Sequence, residues 1–454
     1  MNTSTLYKYY QETPIVCTDT RTMEENCLFF CLSGDRFDGN TFAKEALDKG
    51  AKYVVIDNPA YKVNDSCICV PNTLQALQEL AVYHRNSLTI PIIGITGTNG
   101  KTTTKELVSA VLAEKYKVAS TKGNLNNHIG VPLTILSIQP GTDIAVVEMG
   151  ANHIGEIAFL CEMAKPNYGI ITNIGKAHLE GFGSIENIIE TKTALYKSVN
   201  KQNGLLFVNA DDELLIKHSK FHHLPHYCGL DSQSPANNAF NAEIPAAGMT
   251  GIFTYGEKGA CKGICLDDDW LLKVHLPDYN IDIQTQLTGG YNFPNVMVAV
   301  AVGLYFHVSI EKVKLALTNY VPSNNRSQLI QKGNKIIIID AYNANPSSMK
   351  LAIENIAKMN VENKILLLGN MSELGKESLT EHQRIVDLIR TFSFDYVYLF
   401  GDEFAKTNAE TSWLYQNYEQ LENVLKNELP NKAMILIKGS RSMKMERFFY
   451  SITN

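Results

Sequence analysis

Short runs of apolar residues alternate with amphipathic helical patterns along most of the chain. Each run is aliphatic or β-branched and ends near glycine, asparagine or aspartate, which is typical of strands buried on both faces of a parallel sheet. Strands that alternate with helices predict βαβ units and an α/β fold. The predicted strands are residues 52–57, 90–96, 143–148, 168–174, 204–210, 335–341, 364–369, 396–401 and 433–439.

One segment interrupts this alternation. Residues 250–287 are rich in turn-forming residues and show partial alternation of polar and apolar positions, so we expect a few antiparallel strands appended to a central domain. Domain boundaries are expected near residue 88, before the run TIPIIGIT, and near residue 321, at VPSNN. The chain is therefore predicted to contain three α/β domains, at 1–88, 89–320 and 321–454.

The composition is that of a globular protein with substantial cores, because 45% of the 454 residues are apolar and 19% are charged. The net charge of −6 argues against a nucleic-acid or anionic-membrane partner. Nine cysteines without a C-x-x-C pair argue against a structural zinc site and indicate reduced thiols. No apolar run approaches the roughly 20 residues of a membrane span, and no secretory signal is visible. We therefore expect a cytoplasmic monomer without a membrane span.

A glycine-rich segment, GITGTNGKTTTKE at 94–106, lies between a predicted buried strand and a predicted helix. The common phosphate loop requires glycine at the position of Ile95, so this segment is either a phosphate loop of another lineage or a plain turn. The Gly-Lys-Thr-Thr run favours phosphate binding, because backbone N–H groups and the helix N-terminus would face the anion. Lys101 would neutralise phosphate charge, and a hydroxyl of Thr102 or Thr103 would reach Mg²⁺.

Two further polar residues follow predicted strands at the same edge of the sheet. Glu148 ends the strand 143–148, and His178 follows the strand 168–174. Open α/β sheets bind ligands at the carboxyl ends of their strands, so both side chains are candidates for a metal or nucleotide site. The alternatives are a capping or turn acid and a structural histidine.

Residues 96–102, TGTNGKT, match the short phosphate loop T-G-[TS]-N-G-K-[ST]. In this motif the chain resembles the Mur ligases, the ATP-dependent amide ligases of peptidoglycan precursor synthesis. The resemblance implies a central P-loop ATPase domain with a parallel sheet and a C-terminal Rossmann-like α/β domain. Further motifs in the family's order are DTR (19–21), LSGDRFDGN (32–40), GNLNNHIGVP (123–132), EMGANHIGEI (148–157), AHLEGFGS (177–184), DAYNANPSSM (340–349), LGNMSELG (368–375) and KGSRSMKME (438–446).

Within the family, YNANPSSM and GSRSMKME are most similar to the member that joins D-alanyl-D-alanine to UDP-N-acetylmuramoyl-tripeptide, and these two compounds are the implied substrates. The residues implied to bind ATP are Gly97, Thr98, Asn99, Gly100, Lys101, Thr102, Thr103, Asn292, Arg326 and Asp340. The residues implied to hold two Mg²⁺ ions are Thr102, Glu148, His178 and Lys192, and the implied catalytic set is Lys101, Glu148, His178 and Lys192. The residues implied to contact the substrates are Thr20, Arg21, Ser33, Asp38, Asn126, Asn343, Asn345, Ser347, Lys438, Ser440 and Arg441.

One implied metal ligand is a modified lysine. The family uses a lysine carbamylated by CO₂ downstream of the histidine, and Lys192 lies 14 residues after His178, a distance that suits the family spacing. Carbamylation needs a neutral amine, which burial and neighbouring charge provide by lowering the amine pKa. Ala194 stands where the family often has an acid. Lys197 is the alternative, and a solvated surface lysine is the other interpretation of Lys192.

Other functions remain open from the sequence. A ligase of the same superfamily could add a different amine, such as lysine, meso-diaminopimelate or glutamate. A nucleotide-binding regulator without catalysis is a second alternative, although the intact Lys101, Glu148 and His178 argue against it. A dinucleotide-dependent oxidoreductase is disfavoured, because no G-x-G-x-x-G with a downstream acid follows a strand.

Overall fold

The computed structural model describes residues 1–34, 37–220, 226–227, 251–266, 270–323 and 325–453. Three mainly parallel sheets with helices on their faces succeed one another along the chain, which confirms the predicted α/β class. All the strands predicted from the apolar runs occur, with ends shifted by a few residues. Within this part of the chain, no helix has the length and apolar character that crossing a lipid bilayer requires.

The first unit is a four-stranded parallel sheet with three helices. Its elements are α1 (Thr3–Glu12), β1 (Val16–Cys17), β2 (Leu28–Phe30), α2 (Ala43–Asp48), β3 (Tyr53–Ile56), β4 (Cys67–Cys69) and α3 (Thr73–Ser87), and the strand order is β1-β2-β3-β4. Helix α3 fastens this sheet to the second unit. Arg85 donates hydrogen bonds to the carbonyl oxygens of Ala164 (2.8 Å) and Lys165 (3.0 Å). The first two units therefore share a bonded, buried junction.

The second unit is built on an eight-stranded parallel sheet. Its strands are β5 (Ile92–Thr96), β6 (Val118–Ser120), β7 (Ile144–Glu148), β8 (Tyr168–Ile171), β9 (Leu205–Asn209), β10 (His226–Tyr227), β11 (Gly251–Gly256) and β12 (Cys261–Lys262). Its helices are α4 (Lys101–Ala113), α5 (Gly130–Leu136), α6 (Glu156–Ala164), α7 (Leu179–Phe182), α8 (Ile185–Lys201), α9 (Glu213–Ser219), α10 (Phe293–Tyr305) and α11 (Ile310–Asn319). The strand order is β10-β11-β9-β8-β5-β7-β6, with β12 beside β11.

Alternate residues of the central strands face two separate cores. Ile93 and Val146 pack in one core with α4 and α10, whereas Ile92 and Val147 pack in the other with α5, α6 and α8. Strand β5 lies between β7 and β8, so the chain segments that follow these three strands meet at one edge of the sheet. That edge is where open α/β sheets bind ligands.

The segment predicted as antiparallel is antiparallel only in its second half. Strands β13 (Ile264–Leu266), β14 (Leu271–Leu276) and β15 (Ile281–Thr288) form an antiparallel sheet. Strands β11 and β12 instead join the central sheet in parallel, so the prediction for residues 251–262 was wrong. The reason is that β11 is buried between β9 and β10, although its sequence GIFTYG reads as half-polar. Residues 250 and 267–269 of the predicted segment lie outside the described residues.

The third unit is a six-stranded sheet of order β16-β17-β21-β18-β19-β20, in which only β16 is antiparallel to its neighbour. Its strands are β16 (Gln328–Lys332), β17 (Lys335–Asp340), β18 (Lys364–Gly369), β19 (Tyr396–Phe400), β20 (Leu414–Tyr415) and β21 (Ala433–Lys438). Its helices are α12 (Pro346–Lys358), α13 (Ser378–Arg390), α14 (Asp402–Ala405), α15 (Tyr418–Asn427) and α16 (Phe448–Thr453). Because β21 lies next to β17, Asp340 and Lys438 stand directly opposite each other.

Candidate active site

The glycine-rich loop joins β5 to α4 and is clamped by the segment that follows β8. The backbone N–H of Thr98 donates to the carbonyl of Asn173 (2.9 Å), and that of Asn99 donates to Asn173 Oδ1 (3.0 Å). Gly100 has φ of 77°, and a Cβ there would lie 2.7 Å from Asn295 Oδ1, so this position requires glycine. The loop and the start of α4, at Lys101, line one cavity, as expected for an anion site.

This cavity has a volume of about 620 Å³ and lies between the second and third units. The predicted site residues that line it are Thr98, Asn99, Gly100, Lys101, Thr102, Thr103, Asn126, Glu148, His178, Asn292, Arg326, Asp340, Asn343, Asn345 and Lys438. Five further lining residues lie outside the sequence motifs, and these are Asn173, Tyr291, Asn295, Ser327 and Leu351. Most of these residues lie next to predicted site residues or strand ends in the sequence, and this position was the only sequence feature that could have indicated them. Tyr342 also lines the cavity, within the motif DAYNANPSSM, but no role had been predicted for it. A larger groove of about 920 Å³ between α3, α6 and α8 contains none of the predicted site residues.

Two lysines approach the same carbonyl of the loop. Lys101 Nζ donates to the carbonyl oxygens of Gly97 (2.8 Å) and Thr98 (3.1 Å), and Lys192 Nζ donates to that of Gly97 (3.1 Å). Burial lowers the pKa of Lys101, and the nearby carboxylate of Glu148 opposes that shift. Burial, together with the charge of Lys101, lowers the pKa of Lys192 well below the usual lysine value. Lys192 is only 3% exposed, so it is not a solvated surface lysine.

Glu148 ends β7 with one carboxylate oxygen bonded and the other free. Its Oε1 accepts a hydrogen bond from Asn126 Nδ2 (2.7 Å), whereas Oε2 is buried without a hydrogen-bond partner. A buried, unpartnered carboxylate oxygen beside a phosphate loop suits a divalent cation. Among the described residues, no cluster of three or more histidine, cysteine, aspartate or glutamate side chains could hold a metal. A cation here would need the mixed ligand set that the sequence predicts, and the buried hydroxyl of Thr102 fits that set.

His178 immediately precedes α7, at the edge of the same cavity. Its ring centroid lies 6.5 Å from that of Phe182, and Lys192 Nζ lies 6.0 Å from the Phe182 ring centroid. Phe182 is buried, and the side chains of both predicted metal ligands lie near its ring. The Nδ1 atom of His178 contacts the carboxylate of Glu373, which belongs to the third unit.

Arg326 reaches the cavity from a strained turn of the third unit. Its guanidinium lies 3.6 Å from the centroid of the Tyr342 ring, a cation–π contact that restricts its orientation. The flanking residues Asn325 and Ser327 have φ of 56° and 48°, in the left-handed region. The N–H of Ser327 donates to Asp340 Oδ1 (3.2 Å), so Asp340 helps to hold the turn that carries Arg326.

Lys438 and Asp340 form a buried ion pair behind this turn. Lys438 is 1% exposed, and its Nζ contacts Asp340 Oδ2 and lies 3.4 Å from the carbonyl of Asn343. The ammonium group is therefore already bonded to groups of the chain itself, which disfavours the predicted direct contact of Lys438 with a substrate. Ser440 and Arg441 lie outside the lining of the cavity.

Hydrogen bonds connect the second and third units across the cavity. Asn345 Nδ2 donates to Asn99 Oδ1 in the phosphate loop (2.7 Å), and the hydroxyls of Tyr291 and Ser327 lie 3.1 Å apart. Ser347 lies beside this interface, because a Cβ on Gly175 of the second unit would lie 3.0 Å from Ser347 Oγ. The third unit therefore lies directly against the phosphate loop.

The side-chain amide of Asn292 is engaged within the chain. Its Nδ2 donates to the carbonyl of Thr288 (2.9 Å), and its Oδ1 accepts from Asn295 Nδ2 (2.9 Å). Asn295 Oδ1 in turn accepts from the hydroxyl of Thr104 in α4 (3.1 Å). Asn292 therefore joins the start of α10 to the phosphate-loop helix.

The predicted substrate residues of the first unit lie outside the lining of this cavity. Arg21 pairs with Asp19 at the surface, and its hydrogen bonds lower the pKa of Asp19 to about 2. Ser33 donates to Asp38 Oδ1 (3.1 Å), and Asp38 also caps the short turn that follows it. Thr20 is buried, and its carbonyl accepts from a lysine side chain. These contacts fix Thr20, Arg21, Ser33 and Asp38 to neighbouring groups of the first unit, and residues 35–36 of the motif LSGDRFDGN lie outside the described residues.

Three domain families match successive parts of the chain. These are the Mur ligase family catalytic domain at 13–85, the Mur ligase middle domain at 95–303 and the Mur ligase glutamate ligase domain at 325–441. The UDP-N-acetylmuramoyl-tripeptide–D-alanyl-D-alanine ligase of Bacillus subtilis is 34% identical over 451 residues, which cover 96% of this chain and 93% of the relative.

Solved structures of MurF show the same fold over nearly the whole chain. A crystal structure of MurF from Acinetobacter baumannii is 27% identical with a TM-score of 0.79 and covers 98% of both chains. The MurF ligase of Thermotoga maritima in complex with ADP is 25% identical with a TM-score of 0.78 and covers 97% of both chains. With a phosphate loop, a shared cavity and matches along the full length, this chain belongs to the Mur ligase family.

Proposed function

We propose that this chain is an ATP-dependent ligase that joins D-alanyl-D-alanine to UDP-N-acetylmuramoyl-tripeptide in peptidoglycan precursor synthesis. The observation that carries the proposal is the similarity, at 34% identity over 96% of the chain, to an enzyme of that name. The cavity supports it, because it brings the phosphate loop of the second unit together with Arg326 and Asn345 of the third. In this proposal, the domain 1–88 holds the UDP end of the tripeptide substrate. The domain 89–320 holds ATP, and the domain 321–454 holds the dipeptide.

The chemistry begins with an unreactive carboxylate. A carboxylate resists attack by an amine because oxide is a poor leaving group. Transfer of the γ-phosphoryl group of ATP to a carboxylate oxygen of the tripeptide gives an acyl phosphate and ADP. The dipeptide amine then attacks the acyl carbon, the carbon–oxygen bond to phosphate breaks, and an amide, phosphate and a proton are released.

The first step brings two anions together, and the residues of the cavity offset their repulsion. Lys101 and Arg326 place two cationic groups in the cavity, and Arg326 is close enough to contribute to lowering the pKa of Lys101. Positive groups positioned before the reaction stabilise a transferring phosphoryl group without reorganisation of solvent. Thr102, Glu148, His178 and carbamylated Lys192 would hold two Mg²⁺ ions, which supply further charge neutralisation when bound.

The activity is tested with purified protein, ATP, Mg²⁺ and UDP-linked tripeptides that carry either lysine or diaminopimelate. We expect D-alanyl-D-alanine to stimulate ADP release and mass spectrometry to show the tripeptide extended by one dipeptide. A diamino acid or glutamate in place of the dipeptide should not stimulate ADP release. Absence of any amide product with all substrates present would favour a nucleotide-binding regulator instead.

Lys192 should carry a carbamate. A neutral amine reacts with CO₂, and the lowered pKa of Lys192 places its deprotonation at a lower pH than that of ordinary lysines. In isotope-labelled bicarbonate, NMR should therefore show a carbamate carbon signal that grows as pH rises through that lower range. Lys192→Met should remove the signal, and Lys197→Met, on the exposed side of α8, should keep it. The opposite pattern would assign the carbamate to Lys197.

Arg326→Ala should impair the phosphoryl-transfer step. The substitution removes a guanidinium that is held over Tyr342 at the cavity, so we expect kcat to fall by about 10²-fold or more. Steady-state kinetics with ATP as the varied substrate provides the measurement. If the KM for ATP and kcat both stayed at wild-type values, Arg326 would have no role in closing the third unit over the nucleotide.

A further inference from the structure

An acidic side chain of the third unit reaches the predicted metal ligand His178. Glu373 lies in the segment between β18 and α13, and its carboxylate contacts Nδ1 of the His178 ring. A neutral imidazole that carries its proton on Nδ1 places that proton beside the Glu373 carboxylate. The same contact lowers the pKa of Glu373. No sequence motif had indicated a partner for His178 in another domain.

Both residues of this contact have unusual backbone conformations. His178 has φ of 50° and Glu373 has φ of 64°, in the left-handed region that is unfavourable for a residue with a side chain. Such strain persists where surrounding structure holds it, and it concentrates at functional contacts. Here strained residues on two different units meet each other.

The segments around the contact pack closely. A Cβ on Gly375 would lie 3.2 Å from Glu180 Cβ, and Gly375 itself has φ of 54°. One turn further on, Lys176 Nζ lies 3.4 Å from Glu381 Oε1, whose side chain is only 5% exposed. The Glu373 contact is therefore part of a continuous interface between the segment around α7 and the segment that leads into α13.

An imidazole ring has two nitrogens with different tasks. When one nitrogen is engaged by a carboxylate, the ring orientation is set and the other nitrogen is left with its lone pair for a metal ion. In His178 the engaged atom is Nδ1, so the remaining atom is Nε2, on a residue that lines the phosphate-loop cavity.

Resting on the proposed function, we propose that Glu373 is a positioning residue that holds His178 with Nε2 available to a divalent cation beside the phosphate loop. Because Glu373 belongs to the third unit and His178 to the second, this cation site is complete only when the two units are in contact. Contact between the two units therefore strengthens binding of the cation, and binding of the cation favours that contact by the same free energy.

The test measures binding of Mn²⁺, in place of Mg²⁺, to the full chain with a non-hydrolysable ATP analogue, from the electron paramagnetic resonance signal of free Mn²⁺. Loss of a carboxylate behind a metal-binding histidine typically weakens affinity 10- to 100-fold, so Glu373→Gln should weaken Mn²⁺ binding at the site that includes His178 at least about tenfold. Glu377→Gln is the matched control, because it removes the same charge from an exposed side chain of the same segment. Its Mn²⁺ affinity should equal that of the wild type.

A double variant separates positioning from a general charge effect. In a His178→Gln background, adding Glu373→Gln should change Mn²⁺ affinity less than twofold, because the effect is transmitted through the histidine ring. Equal Mn²⁺ affinity for Glu373→Gln and wild type, equal losses for Glu373→Gln and Glu377→Gln, or an undiminished loss in the His178→Gln background would each overturn the proposal. Failure of the wild type to extend the tripeptide would overturn the proposed function instead, since Mn²⁺ binding does not depend on that product.

Discussion

Lys101→Met is expected to reduce kcat for ADP release by about 10³-fold, the largest effect of any substitution in the cavity. Methionine keeps the length and apolar stem of lysine but removes the charge that would face the β- and γ-phosphates. Lys101 Nζ is held by the carbonyl oxygens of Gly97 and Thr98, so the charge is positioned before the substrate arrives. Neither Lys192, with its lowered pKa, nor Arg326, on another unit, occupies that place.

The measurement is single-turnover and steady-state formation of the amide product, with folding checked by thermal denaturation. Lys115→Met is the matched control, because Lys115 lies on the exposed surface just beyond the same helix. We expect that control to ligate at the wild-type rate. Ligation by Lys101→Met at an undiminished rate would contradict the assignment of this loop as the phosphate site.

Asp340→Ala is expected to produce the second largest effect, on stability and activity together. Removing the carboxylate leaves the Lys438 ammonium, which is 1% exposed, without a counter-ion. Breaking one side of a buried ion pair costs about 3 kcal/mol or more in the free energy of unfolding. The same substitution frees the N–H of Ser327, so the turn that carries Arg326 loses an anchor and kcat should fall as well.

A double variant distinguishes the two consequences. Asp340→Ala with Lys438→Met removes the orphaned charge, so the stability of the third unit should recover by at least half, because an ion pair replaced as a whole is often nearly neutral. Hydrogen exchange of the amides of β17 measures this local stability. The rate of ligation should stay low, since Arg326 is still unanchored. Recovery of ligation together with stability would show that Asp340 only neutralises Lys438.

Apolar periodicity was sufficient to predict most of the sheets. Runs such as 335–341 and 364–369 are apolar at every position, and a parallel strand covered on both faces needs that pattern. The failure at β11 has a physical cause. Its threonine and tyrosine are compatible with a half-exposed strand, and only its position between β9 and β10 buries Tyr255 completely. Burial is set by neighbours distant in sequence, which periodicity does not report.

The phosphate loop was predictable because its function is local. Its glycines, Lys101 and threonines act through backbone conformation and the start of one helix, so thirteen consecutive residues contain the signal. Asn173, which clamps the loop, acts only through tertiary contact and had no local signature. Tyr342 lies in the motif DAYNANPSSM, but only the fold shows that it orients Arg326. Lys438 was predicted at the site, but its burial beside Asp340 became visible only in the fold.

The sequence by itself determined the α/β class, the phosphate loop and the family resemblance, because each rests on residues close together or on motifs in a shared order. The tertiary structure decided which charges meet. It paired Asp340 with Lys438 across neighbouring strands, and it brought Glu373 of the third unit to His178 of the second. Pairings of this kind depend on strand order and on contact between domains, and chain position specifies neither until the whole molecule has folded.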